Sequence, residues 1–151
     1  MSNLYEGMFL IDNDLVRAGW SDAKAVVTNV LTKHGGAVRS ARRWDERALA
    51  FPVGGRRRGT YVISYVELPS DAMPSLTRDL EITEGIMRYM IVRTDAMPES
   101  EQELATAEQS ADFAVPPPPA DDAGSYSPLQ SSDDSDDDTD SDDSDDSEDD
   151  E

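Results

Sequence analysis

The sequence predicts an α+β domain of order βαββαβ, a four-stranded antiparallel sheet with two helices on one face. Three observations carry that prediction. Short apolar runs of strand length open and close the first 95 residues, two stretches with helical periodicity lie between them, and a glycine-rich turn joins two long extended segments at the centre.

LYEGMFLI, Leu4 to Ile11, reads as a buried strand, and Asp12, Asn13 and Asp14 after it favour a turn through their side-chain acceptors. Ala23, Val26, Val27, Val30 and Leu31 then fall on one stripe of a helix, with Ser21 placed to cap its start and Gly35 and Gly36 to end it. Ala37 to Val53 and Gly59 to Leu68 form a long hairpin around GGRRRG, the second arm rich in β-branched and aromatic residues. Ser70 and Asp71 are placed to cap a shorter helix that carries Met73, Leu76 and Leu80 on its apolar face, with Pro74 in the tolerated first turn. IMRYMIVR, Ile86 to Arg93, is the last strand. The order is ferredoxin-like.

Composition divides the chain in two. All thirteen Lys and Arg lie between Arg17 and Arg93, against twelve Asp and Glu through Asp95, so residues 1–95 are close to neutral. The formal net charge of -20 therefore belongs to residues 96–151. That region runs from Glu, Ala and Gln through PPPP at Pro116 to Pro119 into an Asp/Ser run from Ser131 to Glu151. Uniform charge and low hydrophobicity cannot offset the entropy of ordering, so residues 96–151 are expected to be a disordered acidic tail holding at most a short helical turn between Pro98 and Gln109. Such a tail spans about 40 Å and reaches any face of the domain, so it can compete with nucleic acid for the arginines; its serines, flanked by acids, are potential phosphorylation sites. The absence of Cys excludes disulfides and thiolate metal sites, and the N-terminus carries neither a signal-peptide pattern nor an apolar run long enough to span a membrane.

Six basic residues crowd into Arg42 to Tyr61, three of them consecutive at Arg56, Arg57 and Arg58. Three like charges at a hairpin tip repel one another, which points to an anionic partner. GGRRRG is not a phosphate-binding nucleotide loop, because Thr60 stands where lysine is needed and a strand follows. RGTYVISY, Arg58 to Tyr65, begins like an RNA-stacking signature, but Thr60 replaces the aromatic. With Val62, Ser64 and Val66 expected on the open face and Tyr61, Ile63 and Tyr65 in the core, no stacking platform is expected. Catalysis has no candidates: His34, the single histidine, reads as a helix cap, and Asp12/Asp14, Asp45/Glu46 and Glu81/Glu84 read as solvated carboxylates. Asp12 to Asp14 opens like a calcium loop, but Val16 holds the fifth position, so neither metal nor cofactor is expected.

These residues also resemble the bacterial small-subunit ribosomal protein six family. The matching positions are Tyr5 and Glu6, Gly35 and Gly36, Trp44 followed by Arg47, Leu49, Ala50, Phe51 and Pro52, then Gly59, Tyr61, Arg78, Leu80 and Arg88, over residues 4–94. The resemblance implies a ferredoxin-like structural protein of the cytoplasmic ribosome, without catalysis. It would bind small-subunit ribosomal RNA together with ribosomal protein eighteen, and neither membrane nor DNA. Arg47, Arg56, Arg57, Arg58, Arg88 and Arg93 are then the expected phosphate contacts, and apolar surface on the hairpin and open sheet face the expected dock for the partner protein. Six neutralised phosphates would give a slope of affinity against salt, both logarithmic, of about -5. Asp45 and Glu46 depart from the family pattern and add negative charge beside Arg42, Arg43 and Arg47, so some of these arginines are expected to pair with acids. Two rival readings are a free-standing regulator of the same fold, binding a small ligand or dimerising, and an enzyme; the hairpin arginines oppose the first and the lack of a nucleophile–base set the second.

Overall fold

The computed structural model describes residues 2–122, so the tail expected to be disordered lies outside the described residues from 123 onward. Eight elements follow in order: β1 (Ser2–Ile11), α1 (Asn13–Ala18), α2 (Trp20–Lys33), β2 (Ala37–Val53), β3 (Arg56–Pro69), α3 (Met73–Ile82), β4 (Ile86–Arg93) and α4 (Glu99–Glu108). The strands form one antiparallel sheet in the order β2-β3-β1-β4, the arrangement that two split βαβ units require. α2 buries Ala23, Val27, Val30 and Leu31, and α3 buries Leu76 and Leu80. They meet Tyr5, Phe9, Ile11, Val62, Val66, Leu68 and Ile86 of the sheet in one core.

Several boundaries differ from expectation for local reasons. Asp12 accepts the amide of Asp14 at 2.9 Å and caps α1, so the expected turn is the start of a helix. α2 then begins at Trp20 behind Gly19, and Ser21 lies inside it. Ser70 and Asp71 form a short 3-10 turn with Ala72 instead of capping α3. Gly54 and Gly55 both have positive φ, 57° and 77°, as a two-residue hairpin turn demands.

The expected facing of β3 is reversed. Val62 and Val66 sit in the helix-covered core, while Tyr61, Ile63 and Tyr65 pair in register with Leu10, Met8 and Glu6 on the opposite face. Both alternating sets along this strand are apolar, so its period does not say which faces the helices. Register shifts in β2 at Val38/Ser40, Arg43/Asp45 and Ala48/Val53 leave Arg39, Trp44 and residues 49–52 out of the ladder. Trp44 and Phe51, displaced in this way, remain 38% and 58% exposed.

Beyond β4 the chain forms the ten-residue helix α4, longer than the single turn the sequence allows for. Its carboxylates reach partners 59 to 88 residues away in sequence. Glu101 takes the guanidinium of Arg42 in a two-point pair at 2.6 and 2.7 Å. Glu108 accepts the Trp20 indole N–H at 2.9 Å, Lys24 at 3.1 Å and the backbone N–H of Arg43 at 2.7 Å. Arg43 lies on the outer strand of the sheet, so Glu108 satisfies an edge N–H that the ladder leaves open. Farther along, Val115 packs against the core and the carbonyl of Pro119 accepts Arg17 at 2.7 Å.

Candidate nucleic-acid interface

Cross-strand partners share a face, so the register sorts the hairpin arginines. On the face away from α2 and α3, Arg47 pairs with Gly59, Asp45 with Tyr61, and Arg88 with Leu10. Alternation places Arg57 on this same side, two residues before Gly59. Arg56 and Arg58 fall on the helix-covered side, where each meets carboxylates. Arg93 pairs with Tyr5, a core residue, so it also lies on the helix side and at the far end of β4 from Arg88. The six residues expected as phosphate contacts are therefore not gathered into one patch.

On the helix side, Arg58 binds Glu46 through Nε at 3.0 Å and Nη2 at 2.5 Å. Glu46 is only 6% exposed at its side chain and also takes Asn13 Nδ2 at 3.3 Å, while Thr60 donates to Asn13 Oδ1 at 2.7 Å. This chain of bonds joins α1 to both arms of the hairpin and makes Arg58 a structural cation. Its guanidinium pKa is raised first by the hydrogen bond it donates to Glu46. Arg56 pairs with Asp12 at 3.5 Å and with Asp14, which raise its pKa in that order. Glu46 thus takes the role foreseen for an acidic neighbour, though its partner is Arg58 across the hairpin.

The open side is arranged differently. Trp44 and Tyr61 meet edge to face with ring centres 5.7 Å apart, and the Arg47 guanidinium lies 4.4 Å over Trp44. Arg47 also bonds Asp45 at 2.9 Å, which holds that carboxyl below its ordinary range. Arg88 lies 5.6 Å over the ring of Phe51, at the edge of a hollow of about 110 Å³ lined by Leu10, Leu49, Tyr61 and Val53. Among the described residues, Arg57, Arg88 and Arg93 have no carboxylate partner. Met90 and Val92 extend the exposed apolar surface along β4. The expected facing of β3 puts Tyr61 in the core, and Trp44 and Phe51 of β2 enter the sequence reading only through the family resemblance. One edge of the face is closed, since Glu101 holds Arg42 beside Tyr65. Burial, aided by the hydrogen bond to Glu6, pushes the Tyr65 phenol up to about 12.

A four-stranded sheet with helices on one face and arginines laid over aromatics on the other defines a ferredoxin-like binding module. Among its described residues, no group of His, Asp and Glu is placed to hold a metal ion. The family model "Ribosomal protein S6" matches residues 4–93, and the chain belongs to that family, whose members are structural proteins of the small ribosomal subunit in the cytoplasm and not enzymes. Small ribosomal subunit protein bS6 of Protochlamydia amoebophila is 31% identical over 99 residues, 66% of this chain and 87% of that protein. The corresponding protein of Zymomonas mobilis is 32% identical over 93 residues, 62% of this chain and 75% of the relative. In fold, the crystal structure of 30S ribosomal protein S6 from Thermotoga maritima matches with a TM-score of 0.55 at 18% identity, covering 72% of this chain and 100% of that one.

Proposed function

We propose that this protein, as a structural constituent of the small subunit, binds small-subunit ribosomal RNA together with ribosomal protein eighteen. The observation that carries the reading is the placement of Arg47, Arg57 and Arg88 on the helix-free face with Trp44, Phe51 and Tyr61. Guanidinium groups over rings suit phosphates whose neighbouring bases or sugars lie against the aromatic surface, and they hold their charge at any physiological pH. Arg56 and Arg58 contribute field more than direct contact, because a phosphate would have to displace Asp12, Asp14 or Glu46. Arg93 is the outlying member, on the other face at the far end of β4. The exposed Met90 and Val92 on the same face offer the partner protein an apolar dock next to the RNA.

The test is retention on small ribosomal subunits through a high-salt wash, with the wild-type chain and an Arg57→Ala, Arg88→Ala double variant. The wild type should stay bound and the double variant should wash off at lower salt. Loss of the wild type in the same wash would contradict a structural role, and equal retention of the two would remove these arginines from the interface. Met90→Glu should separately weaken capture of ribosomal protein eighteen in the presence of the RNA. Unchanged capture would move that dock elsewhere.

A further inference from the structure

The tip of the hairpin holds a feature that the side-chain arginines do not account for. The backbone N–H groups of Arg57 and Arg58 both donate to one carboxylate oxygen, Oδ1 of Asp121, at 2.9 and 3.1 Å. Consecutive amides converging on one oxygen form a small anion-binding concavity, and the oxygen found in it belongs to the chain itself. Asp121 is held there by its neighbourhood: Arg17 binds the carbonyl of Pro119 at 2.7 Å, two residues earlier, and Val115 is packed against the core. The guanidinium groups of Arg56 and Arg58 lie near enough to Asp121 for its charge to raise the pKa of both, and the Arg57 side chain is exposed with no carboxylate partner among the described residues. A phosphate oxygen carries the same charge and acceptor geometry as the carboxylate oxygen, and a guanidinium at the rim would add a second contact to it.

We propose that the Arg57 and Arg58 amides are a phosphate-oxygen site of the RNA interface, occupied in the free protein by Asp121, which RNA must displace. The inference rests on the RNA-binding reading above and adds an internal competitor to it. Displacement costs two charge-assisted hydrogen bonds, and binding recovers two of the same kind, so Asp121 sets a threshold that an anion with no further contacts does not cross. A single exposed phosphate would replace one anion by another with little gain. An RNA backbone that also reaches Arg47 and Arg88 gains contacts elsewhere that favour the exchange.

The test uses the full chain, labelled with nitrogen-15, and compares Asp121→Ala with Asp122→Ala. The two variants remove the same charge one residue apart, but Asp122 makes no bond to the hairpin amides. Binding is read with an RNA hairpin of arbitrary sequence at low salt and, separately, with inorganic phosphate. Asp121→Ala should bind the RNA about tenfold more tightly than wild type and Asp122→Ala within about twofold of it. In the wild type, RNA should move the Arg57 and Arg58 amide resonances, while inorganic phosphate should move them only in Asp121→Ala. Equal tightening by both variants would reduce Asp121 to bulk charge and overturn the proposal. Amides that answer to inorganic phosphate but not to RNA would overturn it too, by assigning the site to a small anion. If Arg57→Ala still weakens RNA binding in either case, the broader reading survives; if no form of the chain binds RNA, that reading fails as well.

Discussion

Arg57 and Arg58 are neighbours in sequence with opposite circumstances, one exposed and the other bound to a carboxylate that is 6% exposed. Removing Arg58 leaves Glu46 as a nearly buried charge supported by Asn13, whereas removing Arg57 uncovers nothing. Arg58→Ala should therefore lower the unfolding free energy by about 2–4 kcal/mol in urea titrations, and Arg57→Ala should change it by less than about 0.5 kcal/mol. Equal effects would contradict the assignment of structural and surface roles. Two carboxyls give a pH signature. Asp45 is held below the ordinary carboxylate range by the hydrogen bond from Arg47, and Asp79 by those from Lys33 and then His34. A depressed folded pKa contributes stability that is present above the unfolded value and lost as pH falls through the folded one. The urea midpoint should accordingly fall as pH drops from about 4 toward 2, and Asp79→Asn should shrink that fall. A fall of the same size in the variant would show that Asp79 is not one of its sources.

At the scale of elements, the strands and the two core helices were legible because each has one clear period. Ala23, Val27, Val30 and Leu31 can serve no helix face but the buried one. Facing within β3 was not legible, since Tyr61, Ile63 and Tyr65 are as suited to burial as Val62 and Val66. The pairing of Arg58 with Glu46 was hidden for a related reason: it depends on the β2 register, and three irregularities shift that register away from simple counting. The sequence allows α4 only as a short turn because its Glu residues look self-repelling, while their cations lie on β2 and α2. The helix nonetheless closes the outer edge of the sheet through Glu101 and Glu108. Glu108→Ala should cost about 1–3 kcal/mol of stability, because the Trp20 indole, Lys24 and an edge amide lose their shared acceptor. A urea midpoint unchanged from wild type would mean that the helix is not a working part of the domain.

Across the whole molecule, charge is unevenly distributed with a direction to it. Residues 1–95 are nearly neutral in sum, yet their arginines concentrate on one hairpin, with two more on β4, and the excess of acid follows in the rest of the chain. Removing residues 123–151 takes away fourteen acidic groups and no basic ones. The shortened chain should bind arbitrary RNA more tightly at low salt, with the advantage fading at about 0.5 M as screening shortens the reach of the field; equal affinities at low salt would leave those residues a solubility role alone. The fold, the family and the anionic character of the partner could all be read from the sequence. Which guanidinium groups lie on the open face could not, because it depends on strand facing and on ion pairs between distant residues. The most direct test of that selection is the salt dependence of RNA binding by the wild type and by a chain with Arg47, Arg57 and Arg88 all changed to alanine. Three phosphate contacts contribute a slope of about -3 between the logarithms of affinity and salt, so the triple variant should be flatter by about that amount. An unchanged slope would show that these three arginines touch no phosphate, and the open face would lose its assigned role.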